Sequence, residues 1–312
     1  MSRYRKILLW LIITSPFFGL FLLVNLTAIG VFGDLPSFEQ LENPKNNLAT
    51  EIISEDGVVL GKYFFENRSR ANYNELPENL INAFISTEDV RFRNHSGIDG
   101  RALLRAIYGA LTGKSSSGGA STITQQLSKM LFTDKPSSGV ERVMQKLKEW
   151  IISGQLEKRY TKDEILTMYL NRFDWVNNAV GIKSASQVYF NKAPIDLNVL
   201  ESAMLVGMLK NPSYYNPNRR IELTERRRNI VLSQMRKYDV ISDYLFDSLV
   251  QQPIILNFKK ASHNEGLAPY FREYFRLELK NWCSTHTKPD GTNYNAYTDG
   301  LKVYTTINSR LQ

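Results

Sequence analysis

Two short runs hold residue types suited to acid–base and anion chemistry. The first, residues 87–99, reads Thr-Glu-Asp-Val-Arg-Phe-Arg-Asn-His-Ser-Gly-Ile-Asp and sets Glu88 at the end of a helical stretch, among acidic, basic and aromatic neighbours. A carboxylate beside Asp89, Arg91 and Phe92 can act as a general base whose pKa those neighbours set. The same run also fits a solvated, charge-rich helix end. The second run, Gly118-Gly-Ala-Ser-Thr-Ile-Thr-Gln-Gln, opens a helix with a small-residue turn. Free N–H groups and the dipole at a helix N-terminus attract anions, and Lys129 lies a turn or so beyond the glutamines. An ordinary Ser/Thr-capped helix fits as well. No Gly-Lys-Ser/Thr ends the loop, which disfavours a nucleoside triphosphate.

A third carboxylate, Glu149, shares a helical face with Lys146 one turn back and Arg142 two turns back. This pattern reads either as a surface ion-pair ladder or as a carboxylate that orients cations around a pyrophosphate. Glu149 is also a candidate ligand for a divalent metal. Arg226-Arg-Arg, on a further helix, reads as a solvated basic face, with lipid head groups as the alternative contact.

Helical spacing positions these groups. Leu80, Ala83, Phe84 and Thr87 share one face ahead of Glu88, and Asp99 can cap a helix over 101–111. Thr122-x-x-Gln125 and Thr161-x-x-Glu164 fit capping boxes. Over 140–157, Val140, Val143, Met144, Leu147, Trp150 and Ile151 form one apolar stripe, and Arg142, Gln145, Lys146 and Glu149 share another. Further helices are expected near 179–190, 198–210, 222–238, 242–251 and 269–281. Strand signal is confined to a hairpin over 49–65, turning at Glu55-Asp-Gly, and to 301–306. The expected fold class is mainly α.

The chain has 312 residues, net charge +8, three histidines and one cysteine, Cys283. An internal disulfide is excluded, and three scattered histidines do not make a zinc site. The excess of cations favours an anionic partner. Arg3, Arg5 and Lys6 precede an uncharged run, Ile7–Gly33, that exceeds the ~20 residues needed to span a bilayer. It reads as an uncleaved signal anchor with the N-terminus in the cytoplasm and the rest outside, so nucleic acid is not an expected partner. The expected division is 1–33 cytoplasmic stub and transmembrane anchor, 34–48 linker, 49–252 catalytic domain with its hairpin, and 253–312 a second linker.

In order, the motifs resemble those of the peptidoglycan glycosyltransferases of family 51. They are Glu88-Asp-x-x-Phe-x-x-His-x-Gly-x-Asp99; Gly119-Ala-Ser-Thr-Ile-Thr-Gln-Gln-Leu-x-Lys129; Lys146-x-x-Glu149 with Leu156-Glu157; Lys162-x-Glu-Ile-Leu-x-x-Tyr-Leu-Asn171; and Leu200-Glu-x-Ala-x-Leu-x-Gly207 leading to Pro212-x-x-Tyr-x-Pro217. The segment from Asp299 to Asn308 resembles the approach to a transpeptidase domain in bifunctional class A penicillin-binding proteins. No Ser-x-x-Lys occurs, so the chain reads as truncated before that domain. Four features depart from the family pattern: Gln145-Lys146 stands for Arg-Lys, Arg142 for an arginine expected at Glu141, the loop between Lys129 and Val140 is longer than usual, and Asp174-Trp-Val-Asn-Asn stands for an aromatic-Gly turn.

The resemblance implies a lysozyme-like α-helical domain at the bacterial cytoplasmic membrane, polymerising lipid II into β-1,4-linked glycan and releasing undecaprenyl pyrophosphate. It implies Glu88 and Glu149 as catalytic. It assigns Asp89, Phe92, Ser121, Thr122, Gln125, Gln126, Lys129, Arg142, Lys146 and Lys148 to the sugar and pyrophosphate, and magnesium or manganese as cofactor, with Glu149 as the metal's ligand. Expected partners are lipid II, lipid-linked glycan, membrane lipids and cell-wall synthesis proteins. A lysozyme-like lytic glycosidase and a non-catalytic cell-wall scaffold are the rival readings.

Overall fold

The structure, a computed structural model, describes residues 3–31, 35, 50–63, 70–113, 119, 121–132, 136–259, 267–289, 291–297 and 299–311. Its elements are α1 (Arg3–Ala28), β1 (Thr50–Ile53), β2 (Val59–Tyr63), α2 (Glu78–Glu88), α3 (Gly100–Thr112), α4 (Ile123–Phe132), α5 (Gly139–Arg159), α6 (Lys162–Arg172), α7 (Ile182–Phe190), α8 (Val199–Met208), α9 (Ile221–Lys237), α10 (Asp243–Val250), α11 (Pro269–Thr285) and β3 (Lys302–Tyr304). The mainly helical expectation holds. The chain divides into two compact units, residues 1–44 with 91–165, and 45–90 with 166–312.

In the first unit α4 and α1 each pack on α5. Phe92, Ile123, Leu127, Leu147, Ile152 and Leu156 form the core. Asp99 caps α3, accepting from the Ala102 N–H at 3.0 Å, and Thr161 and Glu164 form the reciprocal box ahead of α6. The apolar stripe on α5 is buried only at Leu147. Val140 and Val143 are 70% and 54% exposed, and the inner face is Leu147, Glu149, Ile152, Ser153 and Leu156. Helical period fixes which residues share a face, not which face finds a partner. Here α4 presents Ser128, whose hydroxyl lies 3.0 Å from that of Ser153, so the inward face is partly polar.

The uncharged N-terminal run lies largely in α1, which continues through position 16. Among the described residues no helix is long and apolar enough to cross a membrane. The linker at 34–48 lies outside the described residues except for Leu35, as do 114–118 of the small-residue loop.

In the second unit β1 and β2 form the expected antiparallel hairpin, with Gly57 at φ +80° in its turn. β3 pairs parallel with β1, giving sheet order β2-β1-β3. Ile52, Leu60 and Tyr63 of the hairpin pack with Leu279 and Cys283 of α11. α2, α8 and α9 pack mutually around Leu80, Phe84, Ala203, Val206, Val231 and Leu232. The basic run on α9 corrects the sequence expectation. Only Arg226 is exposed, whereas Arg227 and Arg228 are 8% and 1% exposed. The Arg227 Nε donates to the Gly207 carbonyl at 3.2 Å, tying α9 to the end of α8.

Candidate active site

The second-motif turn is held by a glycine carbonyl. Thr122 Oγ1 donates to Gly97 O at 2.6 Å, and Gln125 Nε2 donates to the same oxygen at 3.3 Å. Thr122 Oγ1 also accepts from the Gln125 N–H at 3.2 Å, so the cap forms, but the Gln125 side chain does not return to the Thr122 backbone. The expected reciprocal box is therefore half a box, because the amide is drawn off to Gly97. Gln125 is buried, and its Oε1 has no hydrogen-bond partner. An unsatisfied buried acceptor is costly, so its retention points to a use.

Gly97 cannot be replaced freely. Its φ is +87°, and a Cβ there would lie 3.0 Å from the backbone of Ser153 on α5. Residue 97 thus brings the first motif against α5, while Thr122 and Gln125 bring α4 to it.

Lys146 joins the second and third motifs. Its Nζ donates to Ser121 Oγ at 2.9 Å and pairs with Glu149 Oε2 at 2.5 Å. Glu149 is 3% exposed while the Lys146 side chain is 42% exposed, so a buried carboxylate holds a half-exposed ammonium in place. Such an ammonium can meet an anion from solvent. Of the other cations assigned to the site, Lys148 is half-buried, and Lys129 and Arg142 are exposed. Gln126 is half-buried.

A second ion pair braces the first motif. Lys162 Nζ lies 2.7 Å from the buried Glu157 Oε2 and donates to His95 O at 2.6 Å. It also sits 4.3 Å from the centre of the buried Phe92 ring, and Thr124 Oγ1 donates to Glu157 Oε1 at 2.5 Å. Arg91 makes a two-pronged pair with Asp99. Glu157 and Lys162 fall within the sequence motifs, but their motifs alone assign them no role. The signal for one was there, an acid and a base five residues apart across a helix start. Phe92 is core and lies beneath the motif rather than at a surface.

Glu88 and Asp89 belong to the other compact unit. Glu88 is the last residue of α2 and is half-buried. Asp89 is buried, and its N–H closes the helix onto the Ile85 carbonyl at 3.0 Å. In the same unit the Phe84 and Tyr169 rings meet at a 45° tilt, with centroids 4.7 Å apart. Burial first, and the Glu88 charge second, push the Tyr169 hydroxyl well above its ordinary pKa, so it stays a neutral phenol. Asn171 clamps the irregular segment at Ala71, accepting from the Ala71 N–H and donating to its carbonyl, both at 2.8 Å.

Where the family pattern was expected to give an aromatic-Gly turn, Val176, Asn177 and Asn178 have φ of 58°, 53° and 61°. Asn tolerates this region, but a β-branched Val does not. Trp175 anchors the turn, fully buried, with Nε1 donating to Leu205 O at 2.9 Å. Among the described residues no group of three or more His, Cys, Asp or Glu could hold a metal.

Comparison with known proteins agrees with the motif order. The transglycosylase family profile matches residues 56–236, more than half of the chain. Penicillin-binding protein 1A of Pseudomonas aeruginosa is 33% identical over 310 residues, covering 99% of this chain and 36% of that protein. Penicillin-binding protein 1A of Escherichia coli is 35% identical over 278 residues, covering 89% and 31%. The crystal structure of penicillin-binding protein 1A from Haemophilus influenzae aligns with a TM-score of 0.45 at 24% identity, covering 85% of this chain and 27% of that one. The chain spans about a third of the length of the curated relatives it matches. With its motifs in order inside the matched region, this chain belongs to the transglycosylase family.

Proposed function

We propose that the chain is a peptidoglycan glycosyltransferase that polymerises lipid II into β-1,4-linked glycan and releases undecaprenyl pyrophosphate. The observation that supports this best is the Ser121–Lys146–Glu149 arrangement, in which a buried carboxylate holds an ammonium beside a hydroxyl-lined helix start. A pyrophosphate leaving group is already a weak base and needs charge neutralisation more than a proton. Lys146 supplies that charge, with Lys129, Arg142 and Lys148 as further cations. Each such group contributes on the order of 10²–10³ in rate.

Glu88 acts as the base that takes the proton from the acceptor's 4-hydroxyl as that oxygen attacks the donor's anomeric carbon with inversion. The attacking oxygen loses its proton to the Glu88 carboxylate, and the C–O bond to pyrophosphate breaks as the new glycosidic bond forms. Asp89 closes α2 and so fixes where Glu88 sits. Ser121, Thr122, Gln125 and Gln126 position sugar and phosphate, and Gln125 Oε1 is the acceptor available to a sugar hydroxyl.

For a divalent cation the donor set is thin. Glu149 offers one carboxylate, already paired with Lys146, which fits magnesium or manganese only as an ion carried mainly by the pyrophosphate and water. When bound, such an ion would add charge neutralisation at the leaving group.

We further infer that α1 is the signal anchor, N-terminus in the cytoplasm and the remainder outside. What supports this reading is the uncharged run Ile7–Gly33 behind Arg3, Arg5 and Lys6. Holding the enzyme where donor and acceptor both reside raises their effective concentration. Membrane lipids and cell-wall synthesis proteins are the partners this placement favours.

The test is product analysis: incubate detergent-solubilised protein with labelled lipid II and magnesium, and in parallel with preformed glycan. A ladder of long glycan from lipid II is expected. Cutting of preformed glycan with no polymer would establish the lytic rival, and no change to either would leave a scaffold.

A further inference from the structure

The Glu157–Lys162 pair stands against both of the helices that carry it. Glu157 lies in the last turn of α5, and Lys162 is the first residue of α6. The helix dipole disfavours an anion at a C-terminus and a cation at an N-terminus. The reverse order, a lysine at 157 and a glutamate at 162, would pair as readily and suit both helix ends. The Glu157 and Lys162 side chains are also largely out of water, 5% and 20% exposed, and a buried ion pair is a weak source of net stability. Stability alone therefore does not account for this order of charges.

What the order does satisfy is a pair of motifs. A carbonyl needs a donor, and Lys162 Nζ supplies one to His95 O at 2.6 Å. A hydroxyl proton needs an acceptor, and Glu157 Oε1 takes that of Thr124 at 2.5 Å while also accepting from Lys162 Nζ at 2.8 Å. A carboxylate at 162 would instead face the His95 carbonyl. From His95 the chain leads to Gly97, whose carbonyl accepts from Thr122 and Gln125, and from Thr122 it leads on to Thr124. The contacts close a ring. The second motif is thus held at its first turn from two directions, by Gly97 and by Glu157. Ser121, which accepts from the Lys146 ammonium at 2.9 Å, adjoins Thr122 and moves with that turn. Thr124 itself is fully buried, so it acts on the turn and not on a ligand.

We propose that Thr124, Glu157 and Lys162 are positioning residues for glycosyl transfer, closing a ring that sets where Ser121 and Gln125 meet the substrate, a role that rests on the glycosyltransferase reading above. Misplacing groups that stabilise a transition state lowers kcat more than it raises KM. Thr124→Val keeps the shape of the side chain and leaves the ion pair whole, removing only the hydroxyl bond to Glu157. The test is polymerisation of labelled lipid II, scored as kcat per folded molecule and as KM, at a temperature where circular dichroism shows each protein fully folded. Thr124→Val should lower kcat about tenfold with KM within about twofold of wild type, and Thr124→Ser, which restores the hydroxyl, should recover it. Lys162→Met should lower kcat further; if that buried change unfolds the protein, the two Thr124 variants carry the test. A wild-type kcat in folded Thr124→Val, a rise in KM alone, or no recovery in Thr124→Ser would overturn the positioning role while the wild-type ladder stands. No ladder from the wild type would overturn the glycosyltransferase reading and the positioning role with it.

Discussion

At the scale of single residues, Lys146 carries the heaviest load, because it ties Ser121 of the second motif to the buried Glu149 of the third. Lys146→Met should lower polymerisation of labelled lipid II by about 10²-fold or more in protein that circular dichroism shows to be folded, with a lowered melting temperature because the buried Glu149 carboxylate loses its cation. Equal activity would remove Lys146 from the site. Gly97 makes a different demand. Gly97→Ala places a Cβ against the Ser153 backbone at positive φ, and should cost about 1–3 kcal/mol in a denaturant melt. These residues were uneven in legibility. The residue types and spacing around Glu88, Gln125 and Glu149 announced acid–base and anion chemistry. Nothing in the spacing said that Thr122 and Gln125 would converge on one carbonyl of residue 97. That contact spans 25 residues and depends on how α4 meets α5.

At the scale of elements, the ends and faces of helices decide what the sequence can reveal. Caps are local, so Asp99 ahead of α3 and Thr161 with Glu164 ahead of α6 were readable from four-residue windows. The buried face of α5 and the burial of Arg227 and Arg228 were not, because a helix shows its periodic stripes without showing its neighbours. The Glu164 cap makes a pH prediction. Its pKa is lowered, chiefly by the hydrogen bond from the Thr161 N–H, so its stabilisation is present above the unfolded carboxylate value of about 4.3 and is lost as pH falls through the lower folded value. Glu164→Gln should melt lower than wild type at neutral pH, with the gap closing as pH falls below that window. The Glu157–Lys162 brace sets a larger stake. Glu157→Gln leaves a mostly buried ammonium without its anion and should cost roughly 3 kcal/mol. In the turn at 174–178, Val176→Asn should raise the melting temperature, because Asn occupies positive φ at less cost than a β-branched residue, a gain of about 1 kcal/mol.

At the scale of the whole molecule, helical content and motif order were the most legible properties, since both survive without knowledge of packing. The pairing of β3 with β1 was not, because parallel pairing across some 250 residues of chain leaves no local trace. The central claim is chemical: one glutamate at the end of α2 starts glycan polymerisation. The measurement that addresses it most directly is the product ladder from labelled lipid II with wild type and Glu88→Gln side by side, both shown to be folded by circular dichroism. Complete loss of the ladder in Glu88→Gln, with the melting temperature preserved, is the predicted result. A full-length ladder from the folded variant would contradict the account and return Glu88 to the role of a charged helix end.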